Sequence, residues 1–144
     1  MKPINPLKTN KKKEDVPMKP SPKFLVCKHC GNVAVAVVNK GGPLSCCGEN
    51  MSELTPNTVD ASKEKHLPVI TASGSGITVA VGGAAHPMEE AHHIGFVYVE
   101  TESGGQRKVL KAGDKPAAAF SFTDDKPIAV YAYCNLHGLW KTEV

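Results

Sequence analysis

The sequence predicts an all-β chain in which a small, metal-bound N-terminal module precedes an antiparallel β-sandwich. Three observations carry this expectation. Apolar residues recur as short runs bounded by Gly, Pro, Asp or Ser, and no stretch sustains a helical period. Four of the five cysteines fall between Cys27 and Cys47, in a segment too short to fold on an apolar core alone. The fifth, Cys134, ends a β-branched and aromatic run and is followed three residues later by His137.

The chain has 144 residues and a formal charge of +3 that is unevenly placed. From Lys2 to Lys23 seven lysines stand against only Glu14 and Asp15, among several prolines. Residues 1–22 therefore read as a solvated, disordered basic tail. The basic residues are not followed by the apolar stretch of a secretory signal, and no apolar run is long enough to cross a membrane. No aromatic residue precedes Phe24, which argues against a nucleic-acid-binding arm. An odd number of cysteines, two of them adjacent, argues for metal thiolates in a reducing compartment rather than a disulfide framework. The expected location is the cytoplasm.

Residues 23–54 form the expected metal module. They contain Phe24-Leu25-Val26, a β-branched run over 33–38, a Gly41-Gly42-Pro43 turn and the Cys46-Cys47 pair. A unit of this size lies below the roughly 40 residues at which a hydrophobic core usually suffices, so a metal would supply the missing folding free energy. Residues 55–62, with Pro56, Asn57 and Asp60 as breakers, read as a linker. Residues 63–144 read as the sandwich. Ile77, Val79 and Val81 alternate, and runs over 94–99, 108–110, 117–122 and 128–133 follow. Turn signals at Ser73-Gly74, Gly82-Gly83, Ser103-Gly104-Gly105, Gly113-Asp114 and Asp124-Asp125 space these runs as in a small sandwich. The one place for a helical turn is Pro87-Met88-Glu89-Glu90-Ala91.

Cys27-Lys28-His29-Cys30 sets two sulfurs at the spacing that lets both face one ion, and Gly31 permits the tight turn around it. Cys46 and Cys47 supply the second pair. Four thiolates suit either zinc or iron. A zinc ribbon would repeat Cys-x-x-Cys in its second half, whereas a contiguous pair strains the ideal tetrahedron. His29 reads as a surface residue.

A second ligand set is spread along the sandwich. Cys134 and His137 lie at the end of a strand, His86 and His92 flank the 87–91 segment, and His66 follows the linker. His93 should point away if His92 points inward, because adjacent side chains of an extended segment face opposite sides. Four imidazoles and one thiolate match no common structural zinc site. They suit a square-pyramidal iron with one open coordination position, where thiolate donation assists one-electron chemistry on a small molecule.

These motifs resemble the desulfoferrodoxin family of two-iron superoxide reductases. The resemblance runs from about residue 24 to residue 143. It rests on Cys27-x-x-Cys30-Gly31-Asn32 with Cys46-Cys47-Gly48, on Glu64-Lys65-His66, on His86-Pro87-Met88-Glu89-Glu90-Ala91-His92, and on Cys134-Asn135-Leu136-His137-Gly138. It implies a desulforedoxin-like domain whose iron is held by Cys27, Cys30, Cys46 and Cys47. It further implies an immunoglobulin-like sandwich whose iron is held by His66, His86, His92, Cys134 and His137. Lys65 is similar to the cation that attracts superoxide and organises proton-donating water, and Glu64 to the carboxylate that becomes the sixth ligand of the ferric ion. His93 stands where relatives often carry a bulky aromatic.

The resemblance implies reduction of superoxide to hydrogen peroxide without release of oxygen, with re-reduction by an external donor such as rubredoxin. It also implies a homodimer, and neither a nucleic-acid nor a membrane partner. Three alternatives differ in chemistry. A protein with zinc in both sites would be colourless and inert. An electron carrier would use only the four-cysteine iron. A dismutase would react with superoxide in both oxidation states.

Overall fold

The computed structural model describes residues 21–144, so the expected basic tail falls almost wholly outside the described residues. Strands β1 (Lys23–Val26), β2 (Val33–Ala36) and β5 (Ser52–Leu54) form a small antiparallel sheet in the order β2-β1-β5. Strands β3 (Ser45–Cys46) and β4 (Glu49–Asn50) form a hairpin beside it. A single helical turn, α1 (Lys63–His66), leads into two further sheets. One is three-stranded, in the order β10 (Ala117–Ser121), β7 (Gly76–Val81), β6 (Pro68–Ser73). The other is four-stranded, in the order β12 (Gly138–Glu143), β11 (Pro127–Cys134), β8 (Ile94–Thr101), β9 (Gly105–Val109). The expected all-β sandwich is present, and every pairing is antiparallel.

Period-two alternation explains how these strands pack. Ile77, Val79 and Val81 of β7 meet Val97 and Val99 of β8 and Val130, Ala132 and Cys134 of β11 in the core between the sheets. The intervening residues of the four-stranded sheet do not face water. Phe96, Tyr98, Ala129, Tyr131 and Tyr133 pack with Phe24 of β1, Val35 and Leu54 in a second cluster. The Phe24 ring lies 5.6 Å from Phe96, 5.5 Å from Tyr98 and 5.4 Å from Tyr131. The N-terminal sheet is thus seated on the outer face of the sandwich.

Two strands extend beyond the sequence expectation. Strand β6 begins at Pro68, which needs no amide partner there, and its mostly exposed face lacks an apolar run. Strand β12 begins at Gly138 directly after His137. Strand β9 starts at Gly105 rather than at residue 108, because the preceding turn closes earlier. The 87–91 segment is not helical. Glu89 and His92 exchange backbone hydrogen bonds of 2.9 and 3.0 Å, which makes it a tight turn. Within the segment 55–62, Asn57 is anchored to the sandwich. Asn57 accepts from the Lys141 amide at 2.8 Å and donates to the Lys141 carbonyl at 3.1 Å, pairing with the edge of β12.

Phe24→Ala should lower the stability of the folded chain by about 3–5 kcal/mol, read by chemical denaturation; a loss below about 1 kcal/mol would show that the aromatic cluster does not hold the N-terminal sheet in place. A second expectation concerns Asp125. Bonds from Thr101 and Ser103, with the amides of Ser103 at 3.1 Å and Lys126 at 3.0 Å, hold its carboxyl down to about 2. A folded value below the ordinary ~3.9 stabilises the native state above about pH 4, and that contribution fades as pH falls toward about 2. Asp125→Asn should therefore flatten the acid limb of the stability profile in that window. An unchanged slope would contradict this reading.

Candidate metal centres

The four N-terminal cysteines converge through two different turns. In the first, the Gly31 amide donates to the Cys27 carbonyl at 2.9 Å and the Cys30 amide reaches the Cys27 Sγ at 3.5 Å. In the second, Cys47 and Gly48 form the two-residue loop of the β3–β4 hairpin, with φ of +55° and +78°. Two consecutive positive φ values are those of the hairpin turn whose twist matches its strands, and glycine takes the second without strain. This turn lets contiguous cysteines serve one point. Cys46 Sγ lies 3.6 Å from Cys30 Sγ and 3.9 Å from Cys47 Sγ, and all four sulfurs lie within 4.8 Å of one another. Cys27 is buried, whereas Cys30 and Cys47 are exposed.

The protonation of this cluster shows what it needs. Amide donation from Cys30 lowers the Cys27 thiol to about 6. The Cys30 side chain, the leading cause, raises Cys46, and it raises Cys47 to about 12. The Cys27 thiolate forms readily while Cys46 and Cys47 resist, as expected of crowded like charges without a cation. A metal ion that accepts four thiolates resolves this conflict. His29 stays outside, its Nε2 paired with the Glu49 carboxylate at 2.5 Å.

The second centre is built by three separate parts of the chain. Ser62 caps α1 by accepting from the Lys65 amide at 3.3 Å, and its carbonyl receives the His66 Nδ1–H at 2.7 Å. The His86 Nδ1–H donates to the Pro87 carbonyl at 2.7 Å. Because a carbonyl only accepts, both rings carry their proton on Nδ1 and turn an Nε2 lone pair inward. The two Nε2 atoms lie 3.2 Å apart. His66 Nε2 is also 3.1 Å from His137 Nδ1, and His137 Nδ1 is 3.7 Å from Cys134 Sγ. His92 Nε2 is buried without a hydrogen-bond partner.

Ring spacings define the arrangement. His66–His86, His86–His92, His92–His137 and His137–His66 centroids are separated by 4.6, 4.7, 5.1 and 4.9 Å, whereas His66–His92 are 6.5 Å apart. The four imidazoles thus occupy the corners of a square in that order. Ligand atoms of His66, His92, Cys134 and His137 lie within 4.8 Å of one another, and His86 joins the ring through His66. Cys134 is fully buried. Burial lowers His66 and His92 and brings His86 down to about 4, so these rings are neutral. Burial also raises the Cys134 thiol, against the amides of Leu136 and His137. Facing lone pairs, an unpartnered buried nitrogen and a buried thiol fit a cation at the centre of the square.

Lys65 is exposed, and its charge disfavours protonation of both His66 and His92. Glu64 is exposed, and its carboxylate is not among the converging ligand atoms. Its backbone is held by the Ala84 amide at 3.1 Å. Gly82 fits beneath this turn because a Cβ there would meet the Glu64 carbonyl at 2.5 Å. His93 lies outside the square, its Nδ1 bonded to the Glu89 carbonyl at 3.0 Å. Trp140 went unremarked in the sequence. Its indole stacks on His66 at 4.9 Å and donates to the His137 carbonyl at 3.1 Å. Its being the single tryptophan, three residues past His137, was the only available signal.

Comparisons with known proteins agree with this geometry. The family model described as Desulfoferrodoxin matches residues 58–143. A desulfoferrodoxin of Syntrophotalea carbinolica is 47% identical over 117 residues, covering 81% of this chain and 92% of the relative. One of Nitratidesulfovibrio vulgaris is 46% identical over 117 residues, with the same coverage of 81% and 92%. The crystal structure of the superoxide reductase from Treponema pallidum superposes with a TM-score of 0.74 at 34% identity, covering 86% of this chain and 100% of that one.

The two centres should load independently. Cys47→Ser is expected to lose the four-thiolate absorption while keeping the metal of the histidine centre. Cys134→Ser should show the reverse, with metal content measured by atomic emission. Loss of both metals from either single variant would show that the centres are one folding unit.

Proposed function

The chain belongs to the desulfoferrodoxin family, and from that premise we propose that it reduces superoxide to hydrogen peroxide without releasing oxygen. The observation that carries this reading is the square of four imidazoles with a buried thiol beside it. His66, His86, His92, Cys134 and His137 are the ligands of one iron, and Cys27, Cys30, Cys46 and Cys47 those of the other. Iron held there would supply a one-electron reductant for a small anion.

The protein residues do the rest. The imidazoles of His66, His86, His92 and His137 would hold the ion without adding charge, and the Cys134 thiolate would donate electron density to it. Lys65 draws the anionic substrate in and orders the water that delivers protons to it. Glu64 would supply a carboxylate ligand to the oxidised ion. Residues 23–54 act as the four-cysteine unit, 55–62 as the linker and 63–144 as the unit that performs the reaction. A small one-electron carrier of the rubredoxin type returns the electron. The reducing chemistry of five unpaired cysteines supports a cytoplasmic setting. No described helix is long and apolar enough to cross a membrane.

Two copies pair through the N-terminal unit. Support comes from β2, an open sheet edge, and from Val37 and Val38 beside it, 90% and 72% exposed. Sedimentation of the iron-loaded protein as a monomer at micromolar concentration would overturn the pairing.

The direct test is anaerobic. Reduced, iron-loaded protein mixed with limiting superoxide should yield one peroxide for each superoxide, matched by oxidation of the histidine-ligated iron. One peroxide for every two superoxides, with oxygen evolved, would identify a dismutase instead. Lys65→Ala should slow the bimolecular step about tenfold and flatten its salt dependence. An unchanged rate and salt slope would remove Lys65 from the mechanism.

A further inference from the structure

Two of the four histidines have a ring anchor of their own, and a third is held through its backbone. His66 and His86 each donate from Nδ1 to a carbonyl, and the His137 carbonyl and amide are tied to Trp140 and to the Cys134 sulfur. Among the described residues His92 has no such carbonyl anchor for its ring, and its buried Nε2 has no hydrogen-bond partner. Its orientation must come from its backbone. On one side that backbone is held by the reciprocal pair with Glu89. On the other side the ladder between β8 and β11 shifts register at Tyr133/Cys134 and ends at Cys134 opposite Ile94.

Asn135 continues the ladder beyond that point. Its amide donates to the His93 carbonyl at 3.2 Å. Its side-chain Oδ1 accepts from the His93 amide at 2.9 Å, and its Nδ2 donates to the Ala91 carbonyl at 3.1 Å. The two side-chain bonds therefore grip the residues immediately before and after His92. The same residue directly follows Cys134, so one amide group ties the His92 segment to the loop carrying Cys134 and His137.

We propose that Asn135 is a positioning residue that sets the His92 imidazole in the metal centre by holding the backbone on either side of it. The proposal rests on His92 being a ligand. Asn135 is itself exposed, so replacing it removes the clamp without opening the core.

The test uses the full chain loaded with iron and oxidised by ferricyanide. Iron release to a chelator is followed by electron paramagnetic resonance, in which two centres of different ligand field give separate signals. Asn135→Ala should release the histidine-centre iron about tenfold faster or more, with a broadened signal. Asn135→Asp keeps the acceptor for the His93 amide but turns the Ala91 contact into repulsion. It should fall between Asn135→Ala and wild type. The four-thiolate signal and the denaturation midpoint of metal-free protein should not move. Wild-type release and an unchanged signal in both variants would overturn the proposal. So would a loss of metal-free stability that accounts for the faster release. His92→Ala separates the premises. If it too leaves release unchanged, His92 is not a ligand and the reading of the centre fails; if it alone accelerates release, only the clamp fails.

Discussion

Strand β11 is buried on both faces, and the rest of the molecule is arranged around that constraint. Its inward residues, Val130, Ala132 and Cys134, belong to the core between the sheets, and its outward residues, Ala129, Tyr131 and Tyr133, meet the N-terminal unit. Strict alternation leaves no freedom to slip, because a shift of one residue would exchange the two sets. Cys134 is therefore delivered to the end of a packed interior. Strand β12 returns alongside, and its Trp140 then braces His66 and His137.

The histidine centre depends on positions assembled from distant parts of the chain. His66 comes from a helical turn, His86 and His92 from the loop between β7 and β8, and Cys134 with His137 from the β11–β12 turn. Only the last pair is local. The others are aimed by backbone carbonyls at Ser62 and Pro87 and by the Asn135 amide. Carbonyl partners fix the tautomer as well as the angle, which keeps an Nε2 lone pair facing inward. The four-cysteine centre, by contrast, is made almost entirely by two tight turns.

Much of this was legible in the sequence. The cysteine spacings, the alternation of Ile77, Val79 and Val81, and the runs leading to Val99 and Tyr133 were visible because each is written locally. Strands β6 and β12 were not, since an edge strand opened by a proline and one opened by a glycine lack the apolar run that marks a buried strand. Asn57 reads locally only as a breaker, and Asn135 only as one position of the Cys134–His137 motif. Their roles arise from partners 84 and 42 residues away, at Lys141 and His93 respectively, and no local pattern records such pairings. Phe24 was visible as an apolar residue, but its seat among Phe96, Tyr98 and Tyr131 exists only once the sandwich has formed.

The contrast between the two donor sets has an electrical consequence. Four thiolates around one ferrous or ferric ion leave a net negative unit, with Cys30 and Cys47 facing outward. Four imidazole ligands and one thiolate around the same ion would leave a net positive one, and the Lys65 charge is felt at His66 and His92. An approaching anion is therefore turned away from the first and admitted to the second. The chain thus sorts its encounters by sign before any bond is made, keeping a metal centre that a small oxidising anion could damage outside that anion's path.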